Sequence, residues 1–451
     1  MHIERTTTIA GRAAAYAGAV ALVVFGAACG SALDVPNPQA FGDEALNNPI
    51  ILKNVANGAE GSLHQAFDDY IVYTELLSDE IESTSTWIDW EDVSEGRIRH
   101  DWPNQFSFSY TQDQILQARF AAQSATERIN NVLGADAATS PLRAQTMLVD
   151  ALSDLLLGTG YCESPLVADG PRSPDTEVFA QAVTKFTAGL EAAQAIAGDA
   201  DAQRKWTNVA HAGRARANLM AGNYDAAKAD AQAVDPTFEY DALYSEAGGY
   251  STTSNPGEQF HQNRNRSGGL RRLYHSRVHV IDSLTTGEAY LRDWFDPSKD
   301  DHRMAVTRLA DKPLGVNNRF NYYGITKYAD RTAPIRMLSK IESNLIEAEV
   351  AMRAGDYATE ANILNVMRAR PGVALPPIPV PGDAGAAQNA LVNERMAELW
   401  VEGSRMQDLY RFNLVTQILG PSRATKLPLS TTEILNNSAM KLGEGACPTI
   451  S

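Results

Sequence analysis

The chain has 451 residues, of which 44% are hydrophobic and 21% charged, and its formal net charge is −16. These are the proportions of a globular protein, with length for one large domain or two ordinary ones. The negative charge excludes nucleic acid and anionic membrane surfaces as preferred ligands, because both repel it, and leaves neutral ligands open.

The N-terminus reads as an address. Arg5 and Arg12 precede a small-and-apolar run over 13–25, the length of a secretory h-region. A membrane-spanning helix needs about 20 apolar residues, more than this run supplies. Gly26, Ala27 and Ala28 then lead into Cys29. The pattern resembles a lipobox, which implies a lipoprotein signal peptide over 1–28 and lipid attachment at Cys29. Gly26 stands where an aliphatic residue is more usual; the alternative is an ordinary secretory signal cut near Ala27. Each buried methylene contributes about 0.8 kcal/mol, so several acyl chains anchor a body that one would not. The remaining cysteines, Cys162 and Cys447, have the option of a disulfide outside the cytoplasm, which their positions do not decide.

Most of the chain beyond this leader has helical spacing. Apolar residues recur at helical intervals over 142–157, 178–196, 206–220, 225–234, 338–353 and 357–369, and 390–419 reads as a last long helix. The stretch 215–234 resembles 348–367, each with Ala-Gly-Asn/Asp-Tyr at its turn (Ala221–Tyr224, Ala354–Tyr357). Glycine ends one helix in a left-handed conformation, and Asn or Asp is expected to cap the next. Such helix hairpins stack because none buries its apolar face alone, which is tetratricopeptide-repeat logic. Between the copies, 238–335 is rich in Gly, Asn, Ser and aromatics and reads as loops with short strands. A second irregular zone, 82–110, carries Trp87, Trp90, Trp102, Phe106, Phe108 and Tyr110. Five prolines between 371 and 381 prevent continuous helix there. The expected fold is mainly α: tetratricopeptide-like hairpins with long irregular insertions and a few short strands.

Several segments carry a resemblance to one family. LDVPNP (33–38), YTELLSDE (73–80), LLLGTGYCESPLV (155–167) and PIRMLSKIESNLIEAEVAMRAGDY (334–357) are similar to segments of the SusD/RagB-like nutrient-binding lipoproteins. The sharpest match is RMAELWVEGSRMQDLYR, with Arg395, Glu398-Leu399, Glu402-Gly403, Arg405, Asp408-Leu409 and Arg411 at the family's positions. Trp400 and Tyr410 depart from its usual apolar residues. The resemblance implies one SusD-like domain over 29–451, divided into 29–237, the insertion 238–335 and a C-terminal part 336–451. It also implies a lipid-anchored, outward-facing protein of the outer membrane. Such a protein captures a glycan or peptide and delivers it to a SusC-like, TonB-dependent transporter.

Read by themselves, the charges of 395–411 pair at i, i+3 on one helix face: Arg395 with Glu398, Glu402 with Arg405, Arg405 with Asp408. They read as a structural helix, with Leu399, Met406 and Leu409 as its apolar stripe. Catalytic signatures are missing from the chain: there is no His-Glu-x-x-His, nucleophile elbow or phosphate loop. Asp296, Asp300 and Asp301 miss the calcium-loop spacing and read as a solvated turn, so no metal or cofactor is expected. Binding without bond cleavage is the expectation. Flat aromatics cover a sugar's apolar face while Asn, Asp and Arg bond its edge. The candidates are Trp87, Asp89, Trp90, Trp102, Asn104, Arg319, Asn321, Tyr322 and Tyr323. Two other readings stay open: a repeat scaffold for envelope assembly, and a carbohydrate-active enzyme.

Overall fold

A computed structural model describes residues 42–98, 106–245, 268–270, 278–280, 301–308, 323–328, 330–421, 423–424 and 426–441. A 3-10 turn spans Asp43–Asn47. The body begins at Pro49.

Helices dominate it. The first, α1 (Leu52–Leu77), runs into strand β1 (Ile81–Ser83) and the short helix α2 (Ile88–Ser94). Then come α3 (Phe106–Leu133), α4 (Pro141–Gly160), the hairpin of β2 (Glu163–Pro165) and β3 (Arg172–Pro174), α5 (Asp175–Gln194), α6 (Ala200–Met220) and α7 (Tyr224–Ala233). In the insertion lie β4 (Glu239–Ala242), β5 (Gly268–Leu270), β6 (Val278–Val280), β7 (Asp301–Arg308) and β8 (Tyr323–Ile325), and β9 (Ile335–Ser339) closes it. The chain ends in α8 (Lys340–Arg353), α9 (Tyr357–Arg368), α10 (Ala384–Glu398), α11 (Arg405–Arg411), α12 (Val415–Leu419) and α13 (Thr431–Asn436).

Local chemistry sets these boundaries. Pro141 opens α4, where a missing N–H costs nothing, and the Ser140 hydroxyl accepts from Leu142 N. Asp199, Ser339, Asp356 and Asp383 cap α6, α8, α9 and α10 in the same way. Both repeated turns use glycine at positive φ, +79° at Gly222 and +78° at Gly355. Each also returns an amide to the helix before it: Asn223 N to Asn218 O, and Asp356 N to Ala351 O. The capping expectation holds at Asp356 and fails at Asn223. The Asn223 amide turns back to donate to Asn218 Oδ1 at 3.2 Å and makes no cap bond.

Consecutive helices from α3 to α7 pack as antiparallel neighbours, and α1 lies against α3 and α4. The hairpin α6–α7 then packs directly on α8, the first helix of the α8–α9 hairpin, although the insertion separates them in sequence. The excursion closes at its base, where β4 and β9 pair antiparallel. Ala215, Leu219, Ala227, Ala231 and Ile346 form a small core at that junction. The largest core gathers Leu63, Phe67, Tyr70, Leu152, Phe179 and Phe186, and a second gathers Leu345, Leu364, Leu391 and Leu409. Each such side chain contributes roughly 1.5–3 kcal/mol by leaving water.

Three expectations are corrected. Residues 106–110, read as irregular, begin α3. The long helix over 390–419 is three helices, because Val401 and Gly403 take φ of +52° and +72° at the first break and Asn413 takes +55° at the second. Tyr70 and Ile71 lie 3.0 Å from where a Gly403 side chain would begin, so the break is packed tightly on α1. The turn read at Asp301 belongs to β7, where its carboxylate holds Arg303; Asp296 and Asp300 lie outside the described residues. Cys162 is disulfide-bonded. Its Sγ touches Leu427 O at 3.5 Å, a contact only, since a disulfide sulfur carries no proton. Cys447 and Cys29 lie outside the described residues.

Candidate functional site

The aromatic site begins where α1 ends. Ser83, Ser85 and Ser94 are buried and fasten the loop: Ser83 N donates to Ser94 Oγ at 3.0 Å, and Trp87 N to Ser85 Oγ at 3.1 Å. Arg423 donates to Ser94 O at 2.6 Å and Ala424 N to Gly96 O at 3.1 Å, so a distant part of the chain holds the same loop. On this base α2 and its N-cap residue present two tryptophans. Trp90 is half-buried, and its Nε1 donates to Tyr73 Oη of α1 at 3.1 Å. Trp87 is 59% exposed, and its ring centroid lies 5.0 Å from that of Trp90 at 50°. Exposed Ile88 and partly exposed Asp89 complete the ledge. A tryptophan left in water beside one pinned by its indole N–H is a platform for a flat apolar face, with a carboxylate at its edge.

The predicted residues come together in part. Trp87, Asp89 and Trp90 share the ledge. Tyr323 opens β8, whose backbone lies against β5; β5 in turn pairs with β1, next to α2. The backbone of the insertion thus reaches the strands beside the ledge. Trp102, Asn104, Arg319, Asn321 and Tyr322 lie outside the described residues. Tyr73, which positions Trp90, was missed; it sits in YTELLSDE, where its place on a helix face was the available signal.

Beneath this surface lies a buried lattice of charges, supplied largely by 395–411. Arg405 grips Asp79 with two bonds of 2.8 and 2.9 Å. Val401 N donates to Glu80 Oε2, and the Tyr328 hydroxyl to Val401 O. Glu402 accepts from Lys327 at 2.5 Å and from Arg336 at 2.7 Å. Glu398 accepts from Arg303 and Arg370, at 2.7 and 2.8 Å. Asp408 accepts from Arg395 and Arg411, both at 2.8 Å, and Arg411 also grips Glu349 of α8. These bonds are not the i, i+3 pairs expected from the sequence. The break at 399–404 turns those side chains toward other elements, and Asp408–Arg411 is an i, i+3 pair within the segment.

The lattice shifts its own protonation. Burial alone raises a carboxylate, but Arg411, Arg395 and Arg353 around Glu349 outweigh it and hold that group below its usual range. Arg395 and Arg411 do the same for Asp408. Glu75 and Glu80 are pushed well up, by burial first; for Glu80 the neighbouring Glu75 adds to it. Perturbed carboxylates mark catalytic sites when a cleft exposes them. Here Glu398, Glu402 and Asp408 are at most 7% exposed and engaged with cations, which makes them structural.

Cavities open elsewhere. One of about 370 Å³ lies among α3, α4 and α5, and one of about 340 Å³ beside α6 is lined by Arg204, Asn208 and Asp235. Neither includes a ledge residue. The ledge is judged by its chemistry, because a stacking platform is flat. Among the described residues no group of three His, Cys, Asp or Glu is placed to hold a metal, and no helix is long and apolar enough to cross a membrane.

No curated protein matches the sequence. Solved structures do match the fold. A SusD-like protein from Bacteroides fragilis superposes with a TM-score of 0.65 at 14% identity, covering 91% of this chain and 100% of that one. A SusD superfamily protein from Bacteroides vulgatus gives 0.62 at 14% identity, covering 87% and 98%. A laminarin-binding SusD-like protein gives 0.56 at 16% identity, covering 86% and 98%. At identities this low the superpositions show the fold alone. The SusD family model matches residues 181–440, more than half of the chain and including all of α8 to α11, and the chain belongs to the SusD family.

Proposed function

We propose that this protein is a surface lipoprotein of the outer membrane that captures an oligosaccharide on the Trp87–Trp90 ledge. It passes the ligand, with no bond broken, to a SusC-like, TonB-dependent transporter. Cys29 carries the lipid that tethers it. The observation that carries the reading is a solvent-exposed tryptophan tilted against a hydrogen-bonded one, with a carboxylate between them in sequence. Family membership and a fold neighbour named for laminarin binding support the choice of a glycan over a peptide. The net charge of −16 fits a neutral ligand. The scaffold reading has no use for an exposed tryptophan at this place. The enzyme reading loses its first candidates, since Glu398, Glu402 and Asp408 are buried and paired with cations.

Two experiments test it. Titration with a panel of neutral glycans, read by tryptophan fluorescence, is expected to show saturable binding that Trp87→Ala weakens; a flat response to glycans and saturation by peptides would reassign the ligand. Gentle solubilisation of native membranes is expected to co-purify a large β-barrel with the lipoprotein. Repeated absence of that barrel would sink the transporter assignment.

A further inference from the structure

Two cavities lie along α3, and neither is lined by a ledge residue. The larger, about 370 Å³, lies among α3, α4 and α5. The smaller, about 190 Å³, continues from it past α3 to the turn at Asp169 and to α13. Gln123 lines both, so they form one groove. Its α3 wall is a single stripe, Leu116, Phe120, Gln123, Glu127 and Asn130, spaced at three and four residues. At 1.5 Å per residue that stripe is about 21 Å long.

The floor is built and fixed. Arg119 donates to Asp154 at 3.2 Å and to Pro165 O at 2.8 Å. Lys185 reaches Asp154 at 2.6 Å and Asp150 at 2.8 Å, and Gln123 donates to Asp150 at 3.0 Å. Arg119 and Asp154 are almost fully buried. Two cations against two carboxylates balance the floor, and Glu127, Asp169 and Glu433 along the lining make the groove acidic as a whole. These groups are already ordered, so a ligand that bonds them loses little side-chain freedom on binding. Above them Phe120 is 69% exposed.

An acidic lining that repels anions and accepts from hydroxyls, amides at Gln123 and Asn130, and one exposed aromatic describe a neutral ligand rich in hydroxyls with an apolar face. We propose that this groove is a second saccharide subsite, separate from the ledge, that holds a neutral oligosaccharide along α3 with one ring on Phe120. The ledge and the groove then grip two stretches of glycan independently.

Met147 lines the groove and supplies the probe. The full chain, labelled at methionine methyls, is titrated with cellohexaose, laminarihexaose and maltohexaose, with the Met147 resonance assigned through Met147→Leu. At least one hexasaccharide is expected to shift the Met147 methyl saturably. The shift should persist in the Trp87→Ala/Trp90→Ala double variant. Phe120→Ala should weaken it about tenfold, the upper range for a lost aromatic contact, without lowering Tm, since the ring lies in solvent. Tryptophan fluorescence in the same samples reports the ledge, so the two sites fail separately. Fluorescence changes with no Met147 shift would overturn the groove and leave the ledge. A Met147 shift that vanishes with the tryptophans, or survives Phe120→Ala at full strength, would overturn it too. So would a shift produced by peptides and by no hexasaccharide.

Discussion

The ledge at 87–90 and the segment 395–411 are both crowded with the residue types that carry chemistry, yet the molecule uses them oppositely. At the ledge a tryptophan is left 59% exposed on a loop pinned from below. In the segment Arg395, Arg405 and Asp408 are almost fully buried: Arg395 pairs with Asp408, Arg405 with Asp79 just past α1, and the neighbouring Arg411 ties the segment to Glu349 of α8. The richer cluster of titratable groups is therefore the scaffold, and the plainer pair of aromatics is the site. Burial and partners separate function from structure where composition does not.

The largest effect that would sharpen this contrast is in the lattice. Arg405→Ala leaves Asp79 charged, buried and unpaired, and is expected to cost about 3–5 kcal/mol. Chemical denaturation checks it, and the double variant Arg405→Met/Asp79→Leu should recover much of the loss. A cost under about 1 kcal/mol would mean that the pair is not the lock described.

Acid separates the regions next. His64 of α1 is buried, accepts from Leu243 N at 3.2 Å and faces Tyr240, while Glu60 and Lys205 stand nearby. Burial lowers its pKa from 6.5 to about 4, with Glu60 opposing and Lys205 adding slightly. Between those values the unfolded chain binds a proton that the folded chain refuses. His64 therefore leaves stability intact above pH 6.5 and removes about 3 kcal/mol as pH falls to about 4. His64→Gln should flatten that part of the stability profile. An unchanged slope would contradict the burial argument.

At the ledge the effects are smaller and of another kind. Trp87→Ala is expected to weaken glycan binding about tenfold while altering stability by under about 0.5 kcal/mol. Trp90→Phe removes the bond to Tyr73 and should cost about 1 kcal/mol, with a partial loss of affinity. Equal stability losses at Trp87 and Trp90 would erase the distinction between platform and anchor.

Much of the scaffold was legible in the sequence, because helical spacing and the Ala-Gly-Asn/Asp-Tyr turns are local signals. The insertion's short strands and the strand-to-helix run at 335–353 were legible too. The first two long helices were not: Gly58 and Gly61 interrupt α1, and much of the buried stripe of α3 is alanine (Ala118, Ala122, Ala125), which hides its period. The break at 399–404 was signalled only by Gly403, inside a segment whose charges fit a continuous helix. The partners of those charges, such as Asp79 for Arg405 and Glu349 for Arg411, stand far away in sequence, where no spacing rule reaches. At the site, Trp87 and Trp90 were legible as aromatics, but which of them is wet depends on Tyr73.

The most direct test measures glycan affinity and Tm together for Trp87→Ala/Trp90→Ala and for Glu402→Gln. The ledge variant should lose binding and keep most of its Tm. Glu402→Gln, which weakens the contacts to Lys327 and Arg336, should lower Tm and keep its affinity while folded. Binding that survives loss of both tryptophans, or falls with Glu402→Gln in fully folded protein, would contradict the assignment of site and scaffold.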